Sequence, residues 1–252
     1  MSMAPRAAAT LSIVIPAHDE ADSLPGLLAE IAAAMVPAPE VVVVDDASDD
    51  GTWPALIEAA AMHPWLHPVR HRTRAGQSAA LLSGVRAASG EWVATLDGDG
   101  QNDPCDIATL VAVRDGMADW RPPLLIAGER RDRHDGWSRR VSSSIANRVR
   151  GRLLGDATPD TGCGLKLFQR AAFLQLPWFD HGHRFMPALF IRSGGRVVSV
   201  PVSHRPRREG RSHYGVNNRL WVGLVDLLGV IWLKRRWRHP EVYDPHLHPG
   251  DE

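Results

Sequence analysis

Two carboxylates and an amide stand within five residues at Asp97-Gly98-Asp99-Gly100-Gln101. Hard divalent cations take oxygen ligands, and Mg²⁺ commonly pairs one or two carboxylates with substrate phosphates. The cluster therefore suits a cation that holds a diphosphate, and a diphosphate held in this way is a leaving group. The apolar run Trp92-Val93-Ala94-Thr95-Leu96 immediately before it reads as a buried strand, which would fix the acids at the end of a rigid element. Glycines at 98 and 100 let backbone and ligand come close. An EF-hand loop is excluded, because it would need Gly at 102 and Glu at 108, where the chain has Asn102 and Ala108. The competing structural reading is a solvated turn that opens a helix, with Asp103 as N-cap and Pro104 at the first helical position.

Two further acidic segments follow apolar runs. Val41–Val44 leads into Asp45-Asp46-Ala47-Ser48-Asp49-Asp50-Gly51-Thr52. Asp45 or Asp46 would point into a binding rim, where a carboxylate can accept from nucleobase or ribose donors. Asp49 and Asp50, with Ser48 and Thr52, would cap the following helix. Pro16-Ala17-His18-Asp19-Glu20 ends the first apolar run, and His18 could stack on a base or lie in a solvated loop.

These segments need elements to position them. Leu11–Ile15, Val41–Val44, Leu66–Arg70 and Glu91–Leu96 read as strands. Asp22–Met35, Thr52–Met62 and Gly76–Ala88 read as helices between them. Such alternation means βαβ units and a parallel sheet, whose ligands bind beyond the carboxyl ends of the strands. All three acidic segments would then meet on one rim. Further on, the pattern gives a helix from Pro104 to Asp115 and a strand at Leu124–Ala127. A long basic helix follows at Ser138–Leu154, then a Gly-rich turn into a short strand over Thr161–Lys166. Helices at Ala171–Leu176 and His183–Arg192, a strand at Arg196–Val202 and a basic loop over His204–His213 complete the pattern. Residues 1–10 and the tail from 239 read as loose.

The 252 residues carry no net formal charge, but the charge is divided. Residues 1–120 hold 17 acids against 6 Lys/Arg, and residues 121–252 hold 12 against 23. An acidic, cation-ready half joined to a basic half suits a substrate with a metal-bound phosphate at one end and a second anion at the other. Of the 29 basic residues, only Lys166 and Lys234 are lysine. Cys105 and Cys163 form no disulfide framework, and Met1–Thr10 lacks a long apolar core, so a cytosolic setting without a secretory signal is expected. No P-loop, dinucleotide fingerprint, His-Glu-x-x-His or Gly-x-Ser-x-Gly motif occurs, which disfavours NTPases, dehydrogenases, zinc proteases and serine hydrolases.

Ile13–Glu20, Val43–Thr52, Gly90-Glu91 and Asp97–Pro104 together resemble family 2 glycosyltransferases. Gly128-Glu129-Arg130, Arg139 with Ser143, Asp160-Thr161-Gly162-Cys163-Gly164 and Arg207–Ser212 are similar to the dolichol-phosphate mannosyltransferase branch, the polyprenyl-phosphate glycosyltransferases. The likeness runs from about Leu11 to Tyr214, with the motifs in the family's order. It implies an α/β GT-A (Rossmann-like) fold, with a mixed, mainly parallel sheet flanked by helices. The catalytic domain would span 11–215 and a C-terminal amphipathic helix 216–238. It implies inverting transfer of a sugar from a UDP- or GDP-sugar to a polyprenyl phosphate. By position, Pro16, His18, Glu20, Val44 and Asp46 would hold the nucleoside. Asp97, Asp99 and Gln101 would hold Mg²⁺ or Mn²⁺ on the diphosphate, beside Gly98. Arg130, Arg139, Ser143 and Arg207 would meet the diphosphate or the lipid phosphate, with Arg184 and His213 as further donor contacts. His18 stands where the family often has Tyr, Gly98 where Ala is common, and His213 where a Lys usually follows the Ser.

A phosphate monoester is largely ionised near neutral pH and needs no strong base. Catalysis would then be alignment of the lipid phosphate by arginines, with a cation on the departing diphosphate. A different acceptor, a saccharide or a membrane lipid, would call for a carboxylate base, and Asp160 could serve. A non-catalytic nucleotide-sugar-binding subunit is the rival of another class.

Leu220–Leu233 is too short and too interrupted by Asp226 and two glycines for a crossing, which needs about 20 apolar residues. Trp221, Trp232 and Trp237, with Lys234-Arg235-Arg236 following the run, read instead as a helix lying in the interface of an anionic membrane, at its cytoplasmic face. A core or oligomer-contact helix is the alternative. A separate membrane protein could share that surface; nucleic acid is not an expected partner.

Overall fold

The computed structural model describes residues 10–117, 123–130, 150–156, 158–206 and 219–238. Seven strands in these residues form one sheet: β1 (Leu11–Ala17), β2 (Glu40–Asp45), β3 (Leu66–Arg70), β4 (Trp92–Thr95), β5 (Leu124–Arg130), β6 (Lys166–Gln169) and β7 (Arg196–Val202). Their order is β3-β2-β1-β4-β6-β5-β7. Pairing is parallel except for β6, which runs antiparallel between β4 and β5. The helices are α1 (Leu24–Ala34), α2 (Thr52–Met62), α3 (Gln77–Ala87), α4 (Asp106–Asp115), α5 (Arg170–Leu174), α6 (Met186–Arg192) and α7 (Arg219–Arg236). Gly182–Arg184 forms a 3₁₀ turn, and residues 150–154 are helical.

The inner strands are near-continuous apolar runs because both of their faces are covered. Alternate residues of one strand serve opposite faces. Ile13, Ile15, Val41, Val43, Trp92 and Ala94 pack with α1, α2 and α4. Val14, Val42, Val44, Val93, Leu125 and Phe168 pack with α3, α5 and α6, and with Val230 of α7. Helix α3 approaches the sheet closely at Gly84, where a Cβ would run into the Val14 side chain.

The elements differ from the sequence pattern in two places. Strand β1 continues through Pro16. The Val14 carbonyl accepts from Leu96 N, so residues of its parity direct their backbone toward β4. That pairing ends at Val14↔Thr95, and a residue without an N–H is tolerated two positions later. The Gly-rich turn occupies Thr161–Leu165 and leads into a short strand as expected, with Lys166 as the first residue of β6. The helix expected over His183–Arg192 is a 3₁₀ turn followed by α6, which restarts with Pro187 in its first turn.

Candidate active site

A cleft of about 410 Å³ opens at the carboxyl edge of the parallel strands. Its lining draws on the loops after β1, β2 and β4, the start of α3, the turn before β6 and the 3₁₀ segment.

The loops after β1 and β2 are laced together. Asp19 and Ala47 both take left-handed φ, 54° and 55°. Asp19 N donates to Ser48 Oγ (3.0 Å), Asp49 N to Asp19 Oδ1 (3.0 Å), and Glu20 N to Thr52 Oγ1 (2.9 Å). Asp50, one residue before the N-cap Gly51, accepts from Thr52 N at the first position of α2 (2.9 Å). His18 is held by a 3.0 Å hydrogen bond between Nδ1 and the Asp46 carbonyl. Of the two acids at the end of β2, Asp45 is wholly buried and pairs with Arg70 (2.9 Å), whereas Asp46 lines the cleft. The Asp46 carboxylate accepts from Ala75 N (2.8 Å), Gly76 N (2.7 Å) and His71 Nδ1 (2.7 Å). Burial alone would raise its pKa, but these donors outweigh it and hold the group below the ordinary aspartate value.

Asp97 and Asp99 both face the cleft. Gln77 Nε2, at the first position of α3, donates to Asp97 Oδ1 (2.9 Å). Asp99 Oδ1 accepts from Gln101 N (3.1 Å). Desolvation, and then the neighbouring charge of Asp99, push the Asp97 pKa up to about 6. The space in which a side chain at Gly164 would start is filled by the Asp97 carboxylate.

Among the described residues no three His, Cys, Asp or Glu converge into a protein-only metal cage. Two adjacent carboxylates that repel one another in a desolvated cleft nevertheless fit a cation shared with a substrate diphosphate, the usual arrangement for Mg²⁺. Gln101 departs from its expected place: it is not among the cleft-lining residues. Its backbone is tied at both ends, the N–H to Asp99 and the carbonyl to Arg205 N (3.0 Å). Val44 also departs. Its side chain is wholly buried against α3, so it supports the site from the core.

Arg130 and Asp160 form a pair of their own beside the cleft. Arg130 Nε and Nη2 donate to Asp160 Oδ2 and Oδ1 at 2.7 and 2.9 Å. Burial works against the guanidinium, yet these bonds raise its pKa. Both therefore serve each other in this structure rather than reaching into the cavity. Arg150 pairs with buried Asp156 (2.8 Å), and its Nη1 donates to the Arg184 carbonyl (3.3 Å). Pro16, Glu20, Gly98 and Arg184 line the cleft as their positions suggested. Arg139, Ser143, Arg207 and His213 lie outside the described residues.

Several lining residues carried no sequence signal. Gln77, Lys166 and His183 reach the cleft only through tertiary contacts. His183 is kept neutral, its pKa driven down to about 3 by desolvation and then by Arg184; its Nδ1 lies 2.7 Å from Ser78 Oγ. Lys166 is 4% exposed and donates to the Cys163 carbonyl. Burial lowers its pKa, against the opposing pull of Cys163, Asp97 and Asp160.

Helix α7 packs through Val230, with Leu227 and Ile231 beside it, on the α3–α6 face of the sheet. Arg192 Nε donates to the Leu233 carbonyl (3.1 Å), and Lys234 to that of Leu154. Asp226 lies 3.5 Å from His181. On its other side Leu224, Val225, Leu228 and Trp232 are exposed at helical spacing. No helix of the described residues is long and apolar enough to cross a membrane.

The sequence pattern of the family described as Glycosyl transferase family 2 matches residues 12–176. Dodecaprenyl-phosphate galacturonate synthase of Rhizobium johnstonii is 34% identical over 237 residues, covering 91% of this chain and 69% of its own length. Undecaprenyl-phosphate 4-deoxy-4-formamido-L-arabinose transferase of Aeromonas hydrophila is 32% identical over 210 residues, covering 82% of this chain and 63% of its own. Among solved structures, glucosyl-3-phosphoglycerate synthase from Mycobacterium tuberculosis, in complex with Mn²⁺, UDP and phosphoglyceric acid, superposes with a TM-score of 0.64. It shares 19% identity and covers 93% of this chain and 81% of its own. That likeness establishes the GT-A fold.

Proposed function

The chain belongs to glycosyl transferase family 2, and on that premise we propose that it moves a sugar from a nucleotide-sugar donor to a polyprenyl phosphate at a membrane surface. The observation that carries the proposal is the convergence of Asp97 and Asp99 on the same cleft as His18, Glu20 and Asp46. The latter three suit a nucleoside; the paired acids suit the diphosphate next to it. Mg²⁺ or Mn²⁺, bound by Asp97 and Asp99, would neutralise the charge of the departing diphosphate.

The chain's own residues account for the remaining steps. Gln77 fixes Asp97, and the laced loops after β1 and β2 fix the nucleoside end. Inverting transfer requires an acceptor oxygen to attack the anomeric carbon from the face opposite the diphosphate. A lipid phosphate oxygen arrives already ionised, so no proton has to be removed. This agrees with Asp160, whose two oxygens are occupied by Arg130 rather than poised as a base. Arg184, at the cleft rim, gives an anion a point of entry. The exposed stripe of α7, followed by Arg235 and Arg236, favours peripheral contact with an anionic membrane, at the cytoplasmic face where nucleotide sugars are found.

A transfer assay tests the reading. A panel of radiolabelled UDP- and GDP-sugars is incubated with Mn²⁺ and undecaprenyl phosphate in detergent. Label extracted into the lipid phase, dependent on both the phosphate and the cation, supports it. Label that moves equally well to a lipid lacking the phosphate points to a different acceptor. Donor binding without transfer or hydrolysis would favour a non-catalytic subunit.

A further inference from the structure

We propose that Lys166 is a donor-contacting residue whose ammonium holds the transferred sugar, one strand beyond the carboxylates that face the diphosphate. The inference deepens the nucleotide-sugar reading above and rests on it.

The argument starts from strand order. Asp46 follows β2, His18 and Glu20 follow β1, Asp97 and Asp99 follow β4, and Lys166 opens β6. These strands are consecutive neighbours in the sheet. Because β6 is antiparallel, its first residue lies at the carboxyl edge of the others, with Lys166 opposite Thr95. A donor laid across that edge has its nucleoside on β2 and β1 and its diphosphate on β4. The next group, the sugar, then falls one strand further on, about 5 Å away, at Lys166.

The state of Lys166 points the same way. Its ammonium has three N–H donors. One is used by the Cys163 carbonyl; Asp97 and Asp160 act on the ammonium through space, and among the described residues no other hydrogen bond or ion pair engages it. A cation 4% exposed and left two donors short is unfavourable unless something else fills them. Lys166 lines the cleft, so a ligand can fill them. Sugar oxygens, hydroxyl or carboxylate, are the acceptors within reach at that place. Arginine otherwise dominates the basic residues of this chain, and a compact, rotatable ammonium fits a buried sugar contact better than a planar fork.

The test separates sugar from nucleotide. Calorimetric titrations in Mn²⁺ compare wild type with Lys166→Met and Lys166→Arg. Each receives a bare nucleoside diphosphate and the matching nucleotide sugar, chosen from UDP, GDP and their hexose and hexuronate conjugates by what wild type binds. Loss of hydrogen bonds from a charged donor is worth roughly tenfold or more in affinity. Lys166→Met is expected to bind the diphosphate within about twofold of wild type and the nucleotide sugar at least ~10-fold more weakly, with partial recovery in Lys166→Arg. Equal loss for both ligands would place Lys166 on the diphosphate and overturn the proposal. So would an unchanged affinity for both, or a loss that tracks a lowered melting temperature in both variants, since that marks a role confined to the Cys163 turn. If wild type binds none of the conjugates, the donor reading itself fails, a result distinct from failure of the lysine assignment.

Discussion

The carboxylate of Asp97 occupies the place where a side chain at Gly164 would begin. The Gly-rich turn before β6 thus leaves room for an acid that follows β4, 67 positions earlier in the chain. Thr95 Oγ1 fixes the pair by donating to the Gly164 carbonyl (2.6 Å). Gly164→Ala should therefore act through Asp97 rather than through backbone strain. Overpacking of this kind costs about 1–3 kcal/mol, and a displaced ligand group costs roughly 100-fold in turnover. The expected outcome is a melting temperature lowered by several degrees together with loss of Mn²⁺-dependent stabilisation by the nucleotide. Unchanged stabilisation would mean that Asp97 does not face the ligand.

Asp97 also sets a dependence on pH. Its folded-state pKa, about 6, lies above the ordinary aspartate value of 3.8. The folded protein binds this proton more tightly, so the contribution to stability is fully present below 3.8 and is lost as pH rises through 6. Asp97→Asn keeps the shape and the acceptor for Gln77 but removes the charge. In chelator at pH 7.5 the variant is expected to melt above wild type by the equivalent of at most about 3 kcal/mol, less for the water that the cleft admits. The gap should close below about pH 4. With Mn²⁺ and nucleoside diphosphate the order should reverse, because only wild type gains from the ligand. Melting curves across pH, with and without ligand, check both halves.

Much of this arrangement was legible in the sequence. Val41–Val44 and Leu11–Ile15 are apolar on both faces, which marks inner parallel strands, and the acids that follow them mark the rim. The helix-start acid Asp50 and the rim acid Asp46 could be told apart in kind from a strand end running into a helix start. What the sequence hid depends on distant partners. Nothing in a period of two reveals that β6 inserts antiparallel between β4 and β5, which puts Lys166 at the carboxyl edge of the parallel strands. Gln77 looked like an ordinary helix residue until α3 aimed it at Asp97, 20 positions away. The resemblance alone points to Val44 and Gln101; packing puts the Val44 side chain in the core, and the Gln101 backbone is tied to Asp99 and Arg205.

Arg130 and Asp160 offer a test of whether a base is needed. The pair is largely buried, with side-chain exposures of 17% and 5%. Removing one partner strands a charge, typically at 3–5 kcal/mol, whereas replacing both is much less costly. Asp160→Asn and Arg130→Met are each expected to lower stability sharply. The double variant should recover a large part of the loss in a thermodynamic cycle. An Asp160→Asn enzyme with wild-type stability but no turnover would instead identify Asp160 as a free carboxylate acting on the acceptor.

Helix α7 divides its residues between two tasks, and they can be separated. Val230 is wholly buried and belongs to the core, so changing it should unfold the helix from the domain. Val225, Leu228 and Trp232 are 64%, 58% and 58% exposed, and none of them belongs to a hydrophobic cluster of the described residues. Converting these three to Ser should leave the melting temperature within about a degree, since exposed substitutions usually stay within ±0.5 kcal/mol. If the stripe meets lipid, the same variant should lose co-sedimentation with anionic liposomes. Wild type should be carried down at low salt and released as salt screens Arg235 and Arg236. Wild type left wholly in the supernatant at low salt would rule out the peripheral assignment, and a variant that still sediments would show that the basic end suffices without the apolar stripe.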